Sequence, residues 1–289
     1  MLACGGRASC VRIYKAPVGK GKTVDPLAHL SEAMDELIWS FTSQMVVGNG
    51  SWGLTQYIFW MCVAIAIYVS VIFAFKKRQA KSFVPHGCFV NFVELAIDFV
   101  RNDMCKGVLG DTWKTHFPFL ASVFFFVLFN NLMGLIPGAK PGTGTMGVTV
   151  AVATCSFCYF VGVGCKLKGV WGYIKSLAPE GVVFPLQLLL GLIEAFSTFL
   201  RLITLAVRLF CNMFAGHVVM GTFAVLAALF VEPALQALTI QTALNASSSV
   251  FWVGVLFAIY MVEILVAVIQ AYVFTLLSTV YIQLVEAEH

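Results

Sequence analysis

Along this chain apolar residues run in blocks longer than a soluble helix or strand needs, and polar residues collect between the blocks. The run Trp52–Phe75 carries no charge. At about 1.5 Å per residue it crosses a bilayer once. Phe117–Pro137 and Thr145–Cys165 read as two more spans, linked by the turn formers GAKPGTG. Val183–Val231 and Val250–Val285 are too long for upright spans. Fully helical, they measure roughly 73 and 54 Å against a hydrocarbon core of about 30 Å. They must tilt steeply or bend, and they are expected to pack together as an inclined hairpin. Pro185 and Pro233 punctuate the first of them.

Two further segments are amphipathic. Asp25-Pro26 reads as an N-cap followed by proline at the first helical position. Leu27, Leu30, Met34, Leu37, Ile38, Phe41 and Met45 then recur at helical spacing, with Glu32, Asp35 and Glu36 largely between them. In residues 88–106, Phe89, Phe92, Val93, Ala96, Ile97, Val100 and Met104 share one side. Asn91, Glu94, Asp98, Arg101 and Asp103 share the other, which predicts a helix at the membrane interface and not a span. The expected fold class is an all-α integral membrane protein with about five membrane helices, two of them long and steeply inclined, plus interfacial amphipathic helices. Residues 1–51 form a polar N-terminal extension. Residues 52–289 form the membrane domain, with the hairpin at 183–285.

Composition agrees. Of 289 residues, 60% are hydrophobic and 11% charged, whereas soluble domains carry about 25% charged residues. Lipid must therefore be the main solvent. The net charge of +4 is not pooled into a basic patch, which argues against a nucleic-acid partner. Lys76, Lys77, Arg78 and Lys81 follow the first span at once and put that end on the negative side, cytoplasm or matrix. Lys166 and Lys168 close the third span on the same side. Arg7, Arg12, Lys15, Lys20 and Lys22, with no acid among them, give the N-terminus the look of a mitochondrial transit segment. Cys155 and Cys158 lie in an apolar run without a second Cys or His pair at zinc spacing. They, with Cys62, Cys165 and Cys211, read as small buried thiols. No metal or cofactor is implied.

The chemistry concentrates in the long hairpin, which carries Glu194, Arg201, Arg208, Asn212, His217, Glu232, Glu263 and Gln270. A charge at a span centre costs about 2.5–3.5 kcal/mol on insertion scales, so these groups need partners or a wet cavity. Glu194, Arg201 and Arg208 recur every seven residues and share a helical face, with Asn212 one turn beyond. Glu263 and Gln270 are likewise seven apart on the last helix. Two facing polar stripes make a proton or ion path. Arginine keeps its proton throughout the working range, so Arg208 is a fixed positive charge. His217 and Glu263 can titrate and pass protons. Asn212 and Gln270 can order water or hold the arginine. Arg201 has two readings, a member of the path or a structural pair for Glu194. Glu232, beside Pro233, reads as a helix end near water. Asn130 and Asn131 lie mid-span and read as helix glue or as functional polar groups.

The stretch RLITLAVRLFCNMFAGH, residues 201–217, closely resembles the signature of subunit a of F-type ATP synthases. VELAIDFVRNDM, FPFLASVFFFVLFNNLMGLIPG, TGTMGVTVAVATCSF and EILVAVIQAYVFTLLSTVYI resemble that family's segments in the right order, covering roughly residues 85–285. The last looks most like alphaproteobacterial and mitochondrial members. The resemblance implies that Arg208 faces a rotating ring of c subunits and separates two aqueous half-channels. It implies that Asn212 and Gln270 neighbour that arginine, and that Glu194 serves proton exit or entry. His217 and Glu263 match an interacting acid–histidine pair in the half-channel opposite the matrix. The implied partners are the c-ring, other stator membrane subunits including a peripheral-stalk subunit, and lipids. The implied location is the mitochondrial inner membrane, with a bacterial inner membrane as the alternative. Leu202 stands where many members have proline, Cys211 where Ala or Gly is common, and the N-terminal extension has no counterpart.

Rival classes predict other patterns. A secondary transporter would show repeated halves with matching broken helices, and no internal repeat is present. A purely structural subunit would use its polar groups only to glue helices. Neither G-x-S-x-G nor H-E-x-x-H occurs, which leaves an intramembrane protease without its motif. No P-loop is present, so the chain is expected to be a non-catalytic channel subunit without a nucleotide site. His217 favours H⁺ over Na⁺, because imidazole is a poor ligand for a hard cation.

Overall fold

The computed structural model describes residues 45–47, 54–79, 87–136, 138–176, 184–236 and 240–287. The amphipathic helix expected from Asp25 and the basic tail before it lie outside these residues. Two short strands come first, β1 (Met45–Val47) and β2 (Leu54–Thr55), paired antiparallel. Helical spacing had carried Met45 into a helix. Val46, Val47 and Thr55 are β-branched, which suits extended chain better.

Among the described residues, five helices are long and apolar enough to cross a membrane. The first is α1 (Gln56–Gln79), which ends on Lys76, Lys77 and Arg78. Arg78 lies 5.3 Å above the Phe89 ring and joins this end to the next segment. That segment is α2 (Cys88–Asp98), continued by a π-helical stretch, Phe99–Lys106, and a short turn, Gly107–Leu109. After it come α3 (Trp113–Gly134), α4 (Met146–Ser176), α5 (Phe184–Gln236) and α6 (Ile240–Ala287). Gly169 in α4 has φ 71°, a left-handed conformation open to glycine, and it kinks the helix just after Lys168. The chain then turns back, so that a β-carbon on Gly164 would meet the Tyr173 ring at 2.6 Å.

Residues 88–106 do more than lie on an interface. Val90, Val100, Met104 and Cys105 are buried, and the Phe99 ring meets Phe124 and Tyr272 at 6.3 and 5.6 Å. Phe92 and Leu95 point outward. At ordinary helical spacing Phe92 and Leu95 lie opposite Val90 within α2, so the apolar residues split between two sides instead of sharing one.

The core is built from the π-helical stretch and its following turn with α3, α4, α5 and α6. Leu120, Val127, Phe160, Leu205, Leu209, Phe274 and Ile282 meet there. Ala153, Ala206 and Ala271 are buried at helix contacts, where small side chains let backbones approach. The α5–α6 pairing is the most extensive in the molecule. At 53 and 48 residues both helices outlast the apolar runs that predicted them, because a helix needs no apolar side chains beyond the lipid. Neither can cross a core of about 30 Å upright. Cys155, Cys158, Cys62 and Cys211 are exposed on the chain, contrary to the buried-thiol expectation. In lipid an apolar thiol needs no cover from protein.

Candidate functional site

The inner end of the polar stripe is an ion pair. Arg201 Nη2 donates to Glu194 Oε1 at 3.1 Å, so the two stretch across the seven-residue gap between them. The guanidinium also lies 5.4 Å above the Tyr281 ring of α6. The structural reading of Arg201 is therefore met in geometry, with an aromatic platform that spacing alone did not reveal.

One turn and more toward the middle, Arg208 stands exposed. Among the described residues it has no ion-pair or hydrogen-bond partner. Leu200, Cys211, Ala215 and Val219, on the same side of the helix as Arg208, are also exposed. A lone cation thus sits on an apolar surface. Asn212 is half-buried. Gln270 is buried at 7% exposure, and its amide nitrogen has no partner among the described residues. The two stripes therefore do not simply face each other: Gln270 points into the protein and Arg208 out of it.

Farther along, one glycine on α5 and one on α3 let the titratable pair sit close to backbone. A β-carbon on Gly216 would stand 2.5 and 2.6 Å from the oxygens of Glu263. The carboxylate therefore occupies the space a side chain would take, beside His217. Likewise a β-carbon on Gly134 of α3 would lie 3.0 Å from His217 Nε2. That nitrogen is buried and without a partner among the described residues. Behind it, buried Asn131 accepts a hydrogen bond from Thr143 Oγ1 at 3.0 Å and donates to the carbonyl of Ala267 at 3.4 Å. Asn130 Nδ2 donates to Phe126 O at 2.9 Å, and its Oδ1 is unpartnered. The helix-glue reading fits Asn131, while Asn130 Oδ1, His217 and Gln270 each keep an unused polar atom. Glu232 lies in the last part of α5, close to its end at Gln236, and its side chain is outside the described residues.

The family profile described as ATP synthase A chain matches residues 58–283. The chain belongs to that family. It is similar to an ATP synthase subunit a of Chlorobium phaeobacteroides, 32% identical over 279 residues, which are 93% of this chain and 77% of the relative. A subunit a of Myxococcus xanthus is 33% identical over 79% of this chain and 71% of its own. One from an Anaeromyxobacter species is 36% identical over 85% and 57%. Membership carries the coarse role, a proton-translocating subunit of the synthase membrane sector, and the apolar helices make the chain a multi-pass membrane protein. These relatives are bacterial. They fit the bacterial alternative and lend no support to the mitochondrial location expected from the basic N-terminus.

Sequence reading missed one polar cluster altogether. His116, at the start of α3, lies between Tyr159 of α4 and Glu286 near the end of α6. A signal existed. Alternating spans put the beginning of α3 and the end of α6 on one side of the membrane, and each carries a titratable group there.

Proposed function

We propose that the chain is the stator side of a rotary proton path, two aqueous half-channels built against the ring of c subunits. Protons enter from the outer side past His217 and Glu263 and reach a carboxylate on the ring. The ring turns, and Arg208 drives release toward the inner side near Glu194 and Arg201. Asn212 and Gln270 order the surroundings of the arginine. Each proton falling through 100 mV supplies about 2.3 kcal/mol. The ring, a peripheral-stalk subunit and lipids are the partners. Residues 52–289 are the membrane domain of this reading, and residues 1–51 are an extension outside it.

The observation that carries it is Arg208, an exposed guanidinium on an apolar helix face with no acid of the described chain to pair with. An unpaired charge in lipid is costly. A carboxylate on a partner removes that cost, and a moving carboxylate makes the charge useful. The orphaned polar atoms of His217 and Gln270 support a wet path, since buried polar atoms are ordinarily matched by protein or by water. The test is Arg208→Ala in the whole synthase. The complex should assemble, and proton-driven ATP synthesis should be abolished. Normal synthesis would sink the reading and favour a purely structural subunit.

A further inference from the structure

A second polar cluster lies away from Arg208, where α3, α4 and α6 meet. His116 is only 4% exposed. Its Nε2 is 2.9 Å from Glu286 Oε1, and its Nδ1 is 3.0 Å from the Tyr159 hydroxyl. Thr112 Oγ1 donates to Glu286 Oε2 at 2.7 Å. A carboxylate only accepts, so Nε2–H donates to Glu286, and when the ring is neutral Nδ1 accepts from the Tyr159 O–H. A neutral ring thus has both nitrogens matched. The Tyr159 ring is held in turn by stacking on Phe119 at 3.8 Å. Glu286 lies just beyond the stretch 58–283 that the family profile matches.

The cluster is tied to the ion pair described above. Tyr159 is followed on α4 by Phe160, whose ring packs on Tyr281 at 5.8 Å. Tyr281 is the platform under Arg201, and Arg201 holds Glu194. The end of α6 is therefore fastened to α4 at two adjacent points, Glu286 through His116 to Tyr159, and Tyr281 to Phe160. Helix ends fray where nothing holds them. Without the Glu286 fastening, the end of α6 loses its hydrogen bonds to Thr112 and His116 and, through His116, its tie to Tyr159, and Tyr281 shifts with it.

We propose that His116 is a positioning residue for the Arg201–Glu194 pair, acting through the hydrogen-bonded brace it forms with Tyr159 and Glu286. The proposal rests on the assignment of Glu194 to the proton path. It concerns where the pair stands, not proton transfer by His116 itself.

The test uses the whole synthase in membrane vesicles. Passive proton flow through the membrane sector and the amount of assembled complex are measured together. His116→Ala should lower flow per assembled complex by on the order of tenfold, within the range that an ångström of misplacement costs. His116→Gln, whose amide can still donate to Glu286, should recover most of it. Glu194→Gln alone should also lower flow. The double variant should be no slower than Glu194→Gln, because both losses run through one pair. Losses that multiply, or flow that falls only as the amount of complex falls, overturn the brace. If His116→Ala does not assemble, Tyr159→Phe keeps the ring stack and removes only the hydroxyl. It should show the same non-additivity with Glu194→Gln, and full flow in Tyr159→Phe overturns the proposal. Unchanged flow in Glu194→Gln alone sinks the Glu194 assignment and this proposal with it, an outcome distinct from multiplying losses.

Discussion

The carboxylate of Glu263 fills the space above Gly216, the residue before His217, so that two helices place an acid and an imidazole at neighbouring backbone positions. In Gly216→Ala the new β-carbon would stand 2.5 Å from a Glu263 oxygen. The obstruction is the far end of a flexible side chain, so the carboxylate should move and the helices should stay. The complex should assemble in normal amount, with passive proton flow lowered on the order of tenfold. Unchanged flow would take Glu263 out of the path.

Gly134 makes a harder case. Its β-carbon would meet Met213 Cε, Pro141 Cγ at 2.8 Å and His217 Nε2 at 3.0 Å. The proline ring cannot swing away. Gly134→Ala should therefore destabilise the chain by roughly 1–3 kcal/mol, the usual cost of overpacking. Thermal unfolding of the purified complex in detergent measures it. Combining it with His217→Ala removes one of the three obstacles, and part of the loss should return. Strict additivity would show that His217 does not rest on Gly134.

Which parts of this were legible in the sequence follows from what uniform apolarity hides. The spans and the hairpin could be read because lipid imposes a length on apolar runs, and α5 and α6 exceed it. Glu194, Arg201 and Arg208 stood out because charges are rare in such runs. The seat of Glu263 on Gly216 could not be read. Both helices are apolar nearly all round, so no stripe fixes how far one slides along the other. The pairing of His116 with Glu286, 170 residues apart, depends on the same unreadable register. The split faces of residues 88–106 lie in α2 itself, where Val90 is buried and Phe92 and Leu95 are exposed, because apolar residues on both sides of a helix do not tell which side meets protein and which meets lipid.

Asn131 and Thr143 are both fully buried and bonded to each other, and Asn131 also reaches Ala267 O. Asn131→Leu leaves a buried hydroxyl and a buried carbonyl without that partner. It should cost roughly 1–3 kcal/mol of stability. Adding Thr143→Val removes one orphan and should restore part of the loss. A double variant whose loss exceeds the sum of the two single losses would mean that the pair is not what holds this end of α3 and α6 together.

The last prediction separates charge from shape at Arg208. Lysine also carries a positive charge, so Arg208→Lys keeps the electrostatic barrier if charge alone matters. The two side chains differ in two ways that bear on the proposed mechanism. Arginine's planar fork can hold a carboxylate through two parallel hydrogen bonds, whereas an ammonium acts as a point charge. Arginine also keeps its proton in apolar surroundings, whereas a lysine there can lose it. On an apolar face such as the one around Cys211, Ala215 and Val219, the second difference dominates. Arg208→Lys should therefore leave the complex assembled with at most a few per cent of wild-type proton-driven synthesis, a loss on the order of a hundredfold or about 3 kcal/mol. Synthesis in membrane vesicles driven by an imposed pH gradient and potential measures it. Near-normal synthesis would mean that a bare positive charge suffices, and the requirement for a group that never releases its proton would fall.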